Sequence, residues 1–137
     1  MASTIALRRF IDRENLRMSC EWADRNPHMA DDDWSRSASH YRCTIRQGRK
    51  SMVTYFSMGP AHTNEPELRD VLDCLASDAA GYENARSFGE WAEEYGYDPD
   101  SRKAERTYRT IARQATRLRA FLGDSAYDTL LWHTERL

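Results

Sequence analysis

Residues 15–24 alternate apolar and polar positions, with Leu16, Met18, Cys20 and Trp22 set against Arg17, Ser19 and Glu21. That period of two predicts a half-buried strand. Tyr41, Cys43 and Ile45 repeat it, and Met52 to Met58 adds a third strand rich in β-branched and aromatic residues. Gln47-Gly48-Arg49-Lys50 reads as the hairpin turn between the last two. The pattern then changes period. Leu68, Val71, Leu72, Leu75, Ala76 and Ala79 recur at three-four spacing, which predicts a helix over 66–80 that starts near Asn64 and stops at Gly81. Ser87 with Glu90 forms a capping box for a short helix over 88–95, and Gly96 with Asp98-Pro99-Asp100 ends it and caps the next. A long helix spans 101–122, closed by Gly123, and Asp124 caps a last one that buries Tyr127, Leu130 and Leu131.

The expected fold class is therefore α+β. A three-stranded antiparallel β-meander is followed by about four α-helices, the first of them packed on the sheet. The inward face of the sheet would carry Cys20, Trp22, Cys43 and Ile45, and the outer face Arg17, Arg42, Thr44 and Arg46. At 137 residues the chain fits a single domain, 1–137, with 1–14 as a flexible lead-in. Residues 25–39 read as a long loop holding Asn26-Pro27 and the run Asp31-Asp32-Asp33-Trp34.

Composition excludes several classes. Mean hydropathy is −0.84, and no apolar run approaches the roughly 20 residues of a membrane span. The first 13 residues lack the long apolar core of a signal peptide. Three cysteines, Cys20, Cys43 and Cys74, without paired spacing fit a reducing cytoplasm better than a disulfide framework. The histidines His28, His40, His62 and His133 form no metal-binding spacing with them, and the aspartate run lacks the spacing of a calcium loop. No metal or cofactor is expected. Gly-x-Ser-x-Gly elbows, phosphate loops and dinucleotide fingerprints are missing too, which leaves His62 with Glu65 as the one base–orienter pairing to consider.

Charge is distributed unevenly although the net is only −2. Residues 65–100 hold eleven acids against two arginines, and 102–119 hold seven bases against Glu105. Mutual compensation within the fold is the ordinary reading of such a contrast. Two other readings name sites. In the first, Asp31, Asp32, Asp33 and Trp34, with Glu90, Glu93, Glu94, Tyr97 and Asp98, form acidic-aromatic contact surfaces for a protein partner; spaced carboxylates imitate a phosphate backbone. In the second, Arg102, Arg106, Arg109, Arg113 and Arg117 share one face of the long helix and, with Arg42 and Arg46, bind nucleic acid.

Three stretches carry a resemblance: Tyr55-Phe56-Ser57-Met58-Gly59, Val71 to Ala79 (Val-Leu-Asp-Cys-Leu-Ala-Ser-Asp-Ala), and Asp100 to Thr107 (Asp-Ser-Arg-Lys-Ala-Glu-Arg-Thr). Together they resemble a family of small proteins encoded by tailed bacteriophages and prophages. The family brings no catalytic residues to carry over. The resemblance implies a mobile-element protein in the cytoplasm of a bacterial host, of the kind that binds and blocks host machinery such as restriction or CRISPR systems. The expected function is a non-enzymatic accessory protein that inhibits a host defence nuclease complex. A nucleic-acid-binding module is the alternative, and a small metal-dependent hydrolase or nuclease the third.

Overall fold

The computed structural model describes residues 4–30, 32–60 and 64–135. Asp31 and His62 fall outside them, so the expectations placed on these two residues do too. The architecture is α+β, with one three-stranded antiparallel sheet. The described residues divide into two compact units, 4–72 and 73–135.

The first unit opens with a helix where a flexible lead-in is expected. Helix α1 runs Thr4–Glu14, and its three-four spaced Leu7 and Phe10 are buried. It ends on Asn15, which takes the left-handed conformation at φ +53°. Asn15 N–H donates to Asp12 O and Leu16 N–H to Ile11 O, the two bonds that close a Schellman cap. The first helix thus precedes the sheet rather than following it.

Strands β1 (Arg17–Ala23), β2 (Ser39–Gln47) and β3 (Lys50–Met58) form the expected meander in the order β1-β2-β3. Cross-strand register makes three inward rows: Met18–Ile45–Met52, Cys20–Cys43–Thr54 and Trp22–Tyr41–Phe56. Ile45, Cys43, Tyr41, Met52 and Thr54 are buried. Trp22 departs from expectation. It shares the inward phase and meets Tyr41 edge to face at 5.9 Å, yet it stays 62% exposed. Its row lies near the end of an edge strand, where cover is thinnest. Between β2 and β3, Gly48 at φ +60° occupies the first position of a two-residue turn, a place that favours glycine.

Residues 25–39, expected as a loop, contain a short helix, α2 (Asp33–Ser37). Asp32 caps it by accepting from Ser35 N–H at 2.8 Å.

Helix α3 (Leu68–Asn84) begins two residues later than expected and runs through Gly81 instead of stopping there. The division between the units falls inside it, after Leu72. The second unit continues with α4 (Phe88–Glu94), α5 (Arg102–Leu122) and α6 (Asp124–Glu135). Ser87 and Ser101 are the caps of α4 and α5, each accepting from the N–H three residues on, at 3.2 and 3.0 Å. Gly96 (φ +73°) closes α4 with the same pair of bonds seen after α1: Gly96 N–H to Glu93 O and Tyr97 N–H to Ala92 O. Ala76, Ala79, Trp91, Ala104, Leu118, Tyr127 and Leu130 are buried in this unit. Among the described residues no helix is long and apolar enough to cross a membrane.

Candidate functional site: an acidic-aromatic surface with a cavity

Helix α4 and the turn after it are built around Trp91. Its ring is 2% exposed and has aromatic neighbours on several sides. Tyr97 stacks on it at 5.1 Å and 12°, Tyr108 of α5 lies at 5.2 Å, Tyr95 at 5.7 Å and Phe88 at 6.3 Å. The Tyr97 stack is the hydrophobic contact that normally accompanies a Schellman cap, so one interaction both ends the helix and positions the aromatic layer. From Ser87 to Ser101 there is no lysine, arginine or histidine. Glu90, Glu93, Glu94, Asp98 and Asp100 are all exposed, and Tyr95 is 52% exposed. Glu90 lies 4.0 Å from the guanidinium of Arg86, which is itself almost wholly solvated; a pair this long and wet neutralises little.

A cavity of about 450 Å³ adjoins this surface. It is lined by Ser77, Ala80, Gly81 and Asn84 of α3, Glu90, Trp91 and Glu94 of α4, and Tyr95, with Thr134 of α6. Gly81 explains the shape. A Cβ there would lie 2.3 Å from the Tyr95 hydroxyl, so only glycine lets that ring approach α3. Ser77 Oγ is buried with no hydrogen-bond partner, the one side-chain polar atom in that condition among the described residues. Thr134 Oγ1–H donates to Leu130 O at 3.0 Å.

The other expected contact residues, Asp32, Asp33 and Trp34, belong to the first unit. Asp32 is committed to capping α2, Asp33 pairs with Arg36 at 2.6 Å, and Trp34 is 48% exposed.

Beside them lies a feature that periodicity does not reveal. His40 and Ser57 face each other across β2 and β3. His40 Nε2 is 2.7 Å from Ser35 O, and a carbonyl only accepts, so Nε2 carries the proton. Nδ1 then accepts from the Ser57 hydroxyl at 2.7 Å, and Ser57 Oγ accepts from Asn26 Nδ2 at 3.0 Å. Asn26 Oδ1 in turn accepts from His28 N–H at 2.9 Å. His40, Asn26 and Ser35 are buried. Every one of these groups has its partner, so the chain tethers residues 26–35 to the sheet. Asn26-Pro27 marks a turn in the sequence, but nothing there joins it to His40.

The arginine stripe is where its spacing puts it. Arg102, Arg106, Arg109, Arg113 and Arg117 are all exposed on α5. Arg109 pairs with Glu105 one turn back, while Arg113 reaches Thr110 at 3.5 Å and Arg117 reaches Gln114 at 3.0 Å. Compensation with the acidic segment does occur at Arg119, which lies 3.5 Å from Glu83 and 3.5 Å from Asp124, over the ring of buried Tyr127 at 4.6 Å. Tyr127 O–H donates to Glu83 at 2.9 Å. Burial first, and then that bond to a carboxylate, push the Tyr127 phenol above its ordinary range. In the first unit, Arg42 bonds Glu21 at 3.2 Å and Arg46 bonds Ser19 at 2.7 Å.

The cysteines are free. Cys20 Sγ and Cys43 Sγ are 3.4 Å apart across the strands, and Cys74 is exposed on α3. Burial raises the Cys20 and Cys43 thiols above their usual range. Among the described residues no cluster of three or more His, Cys, Asp or Glu side chains could hold a metal ion. Glu65, the other half of the base–orienter pairing, is exposed.

No protein-family model, curated protein or solved structure matches the chain.

Proposed function

We propose that the chain is a non-enzymatic binding protein whose α4 surface docks against a basic surface of a protein partner. The observation that supports this reading is the uninterrupted acidic stretch 87–101, whose five exposed carboxylates surround a fixed aromatic layer. An acidic face of this kind substitutes for a nucleic-acid backbone in a cationic groove, and exposed aromatics such as Tyr95 anchor protein interfaces. The partner class is a host defence nuclease complex, in keeping with the resemblance to phage accessory proteins, and Asp32–Trp34 is a second candidate contact. The test is an affinity capture from bacterial lysate, with and without nuclease, using the wild type and Glu93→Lys/Asp100→Lys. One stoichiometric protein should survive nuclease treatment and be lost from the variant. Undiminished capture by the variant would refute the α4 surface.

The five solvated arginines of α5 favour a second reading, phosphate-backbone binding. It requires affinity for duplex DNA to fall steeply with salt, because each neutralised phosphate releases counterions. A flat salt response would exclude it.

A further inference from the structure

Strand β1 has a paired side and an open side. Its register with β2 runs one residue against one from Arg17–Arg46 to Ala23–His40, without a bulge. No strand follows on the other side, and among the described residues the main chain of 17–23 bonds to no element besides β2. Natural edge strands are usually guarded by a lysine, a proline or a bulge that keeps other chains off. The seven residues of β1 include none of these. Trp22 lies on this strand, 62% exposed although it is in the inward phase.

The charges on the outer face say what fits the open edge. Arg17 sits directly opposite Arg46, a like-charge cross-strand pair that weakens a sheet. Arg46 turns to Ser19 at 2.7 Å, and Arg17 has no acidic partner among the described residues. Glu21, on the same face, is bonded to Arg42 at 3.2 Å and still largely exposed. A strand with the sequence of β1 itself, running antiparallel, answers both. With a two-fold axis at Ser19, Arg17 faces the second copy's Glu21, and Glu21 faces its Arg17. Each glutamate then lies between two arginines, Arg42 of its own sheet and Arg17 across the axis. On the inward face Met18 meets Cys20, and Trp22 comes beside the second copy's Leu16, with Met18 on the diagonal. Neighbouring registers do worse. An axis at Cys20 sets Glu21 against a serine and Arg17 against an alanine, and an axis at Glu21 sets two glutamates together.

We propose that two copies of the chain pair through the open edge of β1, antiparallel and centred on Ser19, to make one six-stranded sheet. An interface confined to one strand from each copy belongs to the small, reversible class, under about 1,200 Å² of buried surface, so the dimer assembles as concentration rises. The pairing is independent of the α4 surface and of the partner that surface binds.

The test is sedimentation velocity of the full chain under reducing conditions, from about 1 μM to about 1 mM, the range in which weak complexes associate. The wild type should pass from monomer to dimer and no further. Arg17→Glu and Glu21→Arg each place like charges across the axis twice, and each should move association to at least about tenfold higher concentration. An equimolar mixture of the two variants should regain wild-type association, because every substituted side chain again faces its opposite. Trp22→Thr, which keeps strand propensity, should weaken association several-fold with an unchanged circular dichroism spectrum, and it decides the matter if a charge variant unfolds. A wild type that stays monomeric to about 1 mM, single variants that associate like the wild type, or a mixture of folded variants that stays monomeric would each overturn the assignment.

Discussion

Gly81 shows how much one hydrogen atom in place of a methyl decides. A glycine in the middle of a helix weakens it by roughly 0.5–1 kcal/mol relative to alanine. Here that cost is tolerated because the Tyr95 hydroxyl occupies the space a Cβ would need. Gly81→Ala in the wild type gains helix propensity and displaces the exposed Tyr95 ring, so the two effects oppose. In a Tyr95→Leu background only the gain remains, about 0.5–1 kcal/mol. A double-mutant cycle by urea denaturation should therefore give a coupling of about 0.5 kcal/mol or more. Additive effects would show that the ring does not depend on the glycine. His40 makes the complementary case. His40→Leu strands the Ser35 carbonyl and the Ser57 hydroxyl, at a cost of about 1–3 kcal/mol. It should also release residues 26–35, opening tryptic cleavage after Arg25 or Arg36 that the wild type resists. Unchanged digestion would mean the tether is not what holds that segment.

At the level of elements, the signals that stood out in the sequence were those with a period or a local rule. The three strands, the Ser87 start and the Gly96 and Gly123 stops each depend on residues within four or five positions of one another, whereas the cap of α5 is Ser101 and not the Asp98-Pro99-Asp100 run just before it. Ser101→Ala should accordingly cost about 1 kcal/mol, readable as a lower urea midpoint, with restoration by Asp at the same position. The misses have physical reasons as well. Helix α1 is short, and its cap is an asparagine in a left-handed turn rather than the more familiar glycine. Gly81 looks like a stop because the residue that forbids a side chain there is fourteen positions away. The cavity draws its lining from α3, α4 and α6, and no spacing within one helix announces Ser77, Asn84 and Thr134 as neighbours. Trp22 obeys its strand's alternation, but alternation says nothing about how far cover extends along an edge.

For the molecule as a whole, buried weak acids make stability depend on alkaline pH. Tyr127 and Cys43 are fully buried, and both are raised above their ordinary values of 10.0 and 9.0, burial being the main cause. The unfolded chain therefore releases these protons first as pH rises. Stability from these groups is complete below about pH 9 and declines above it. Urea midpoints measured under reducing conditions should be level between pH 7 and 8.5 and fall by pH 10.5. Tyr127→Phe with Cys43→Ala should flatten that decline, and an unaltered slope would contradict the assignment.

The place where the two compact units divide has a consequence for how such a gene can change. The division follows Leu72, a residue with no exposed surface, five residues into a seventeen-residue helix. Recombination that exchanged one unit as a cassette would have to join the first five residues of this helix to the rest in phase, with Val71 and Leu72 inherited from one parent and Ala76 and Ala79 from the other. Such a junction tolerates no gain or loss of a single codon, since each step rotates the apolar stripe by about 100°. The exposed Arg86–Ser87 connection carries no such constraint. Length variation among descendants should collect there, and the two units should be inherited together.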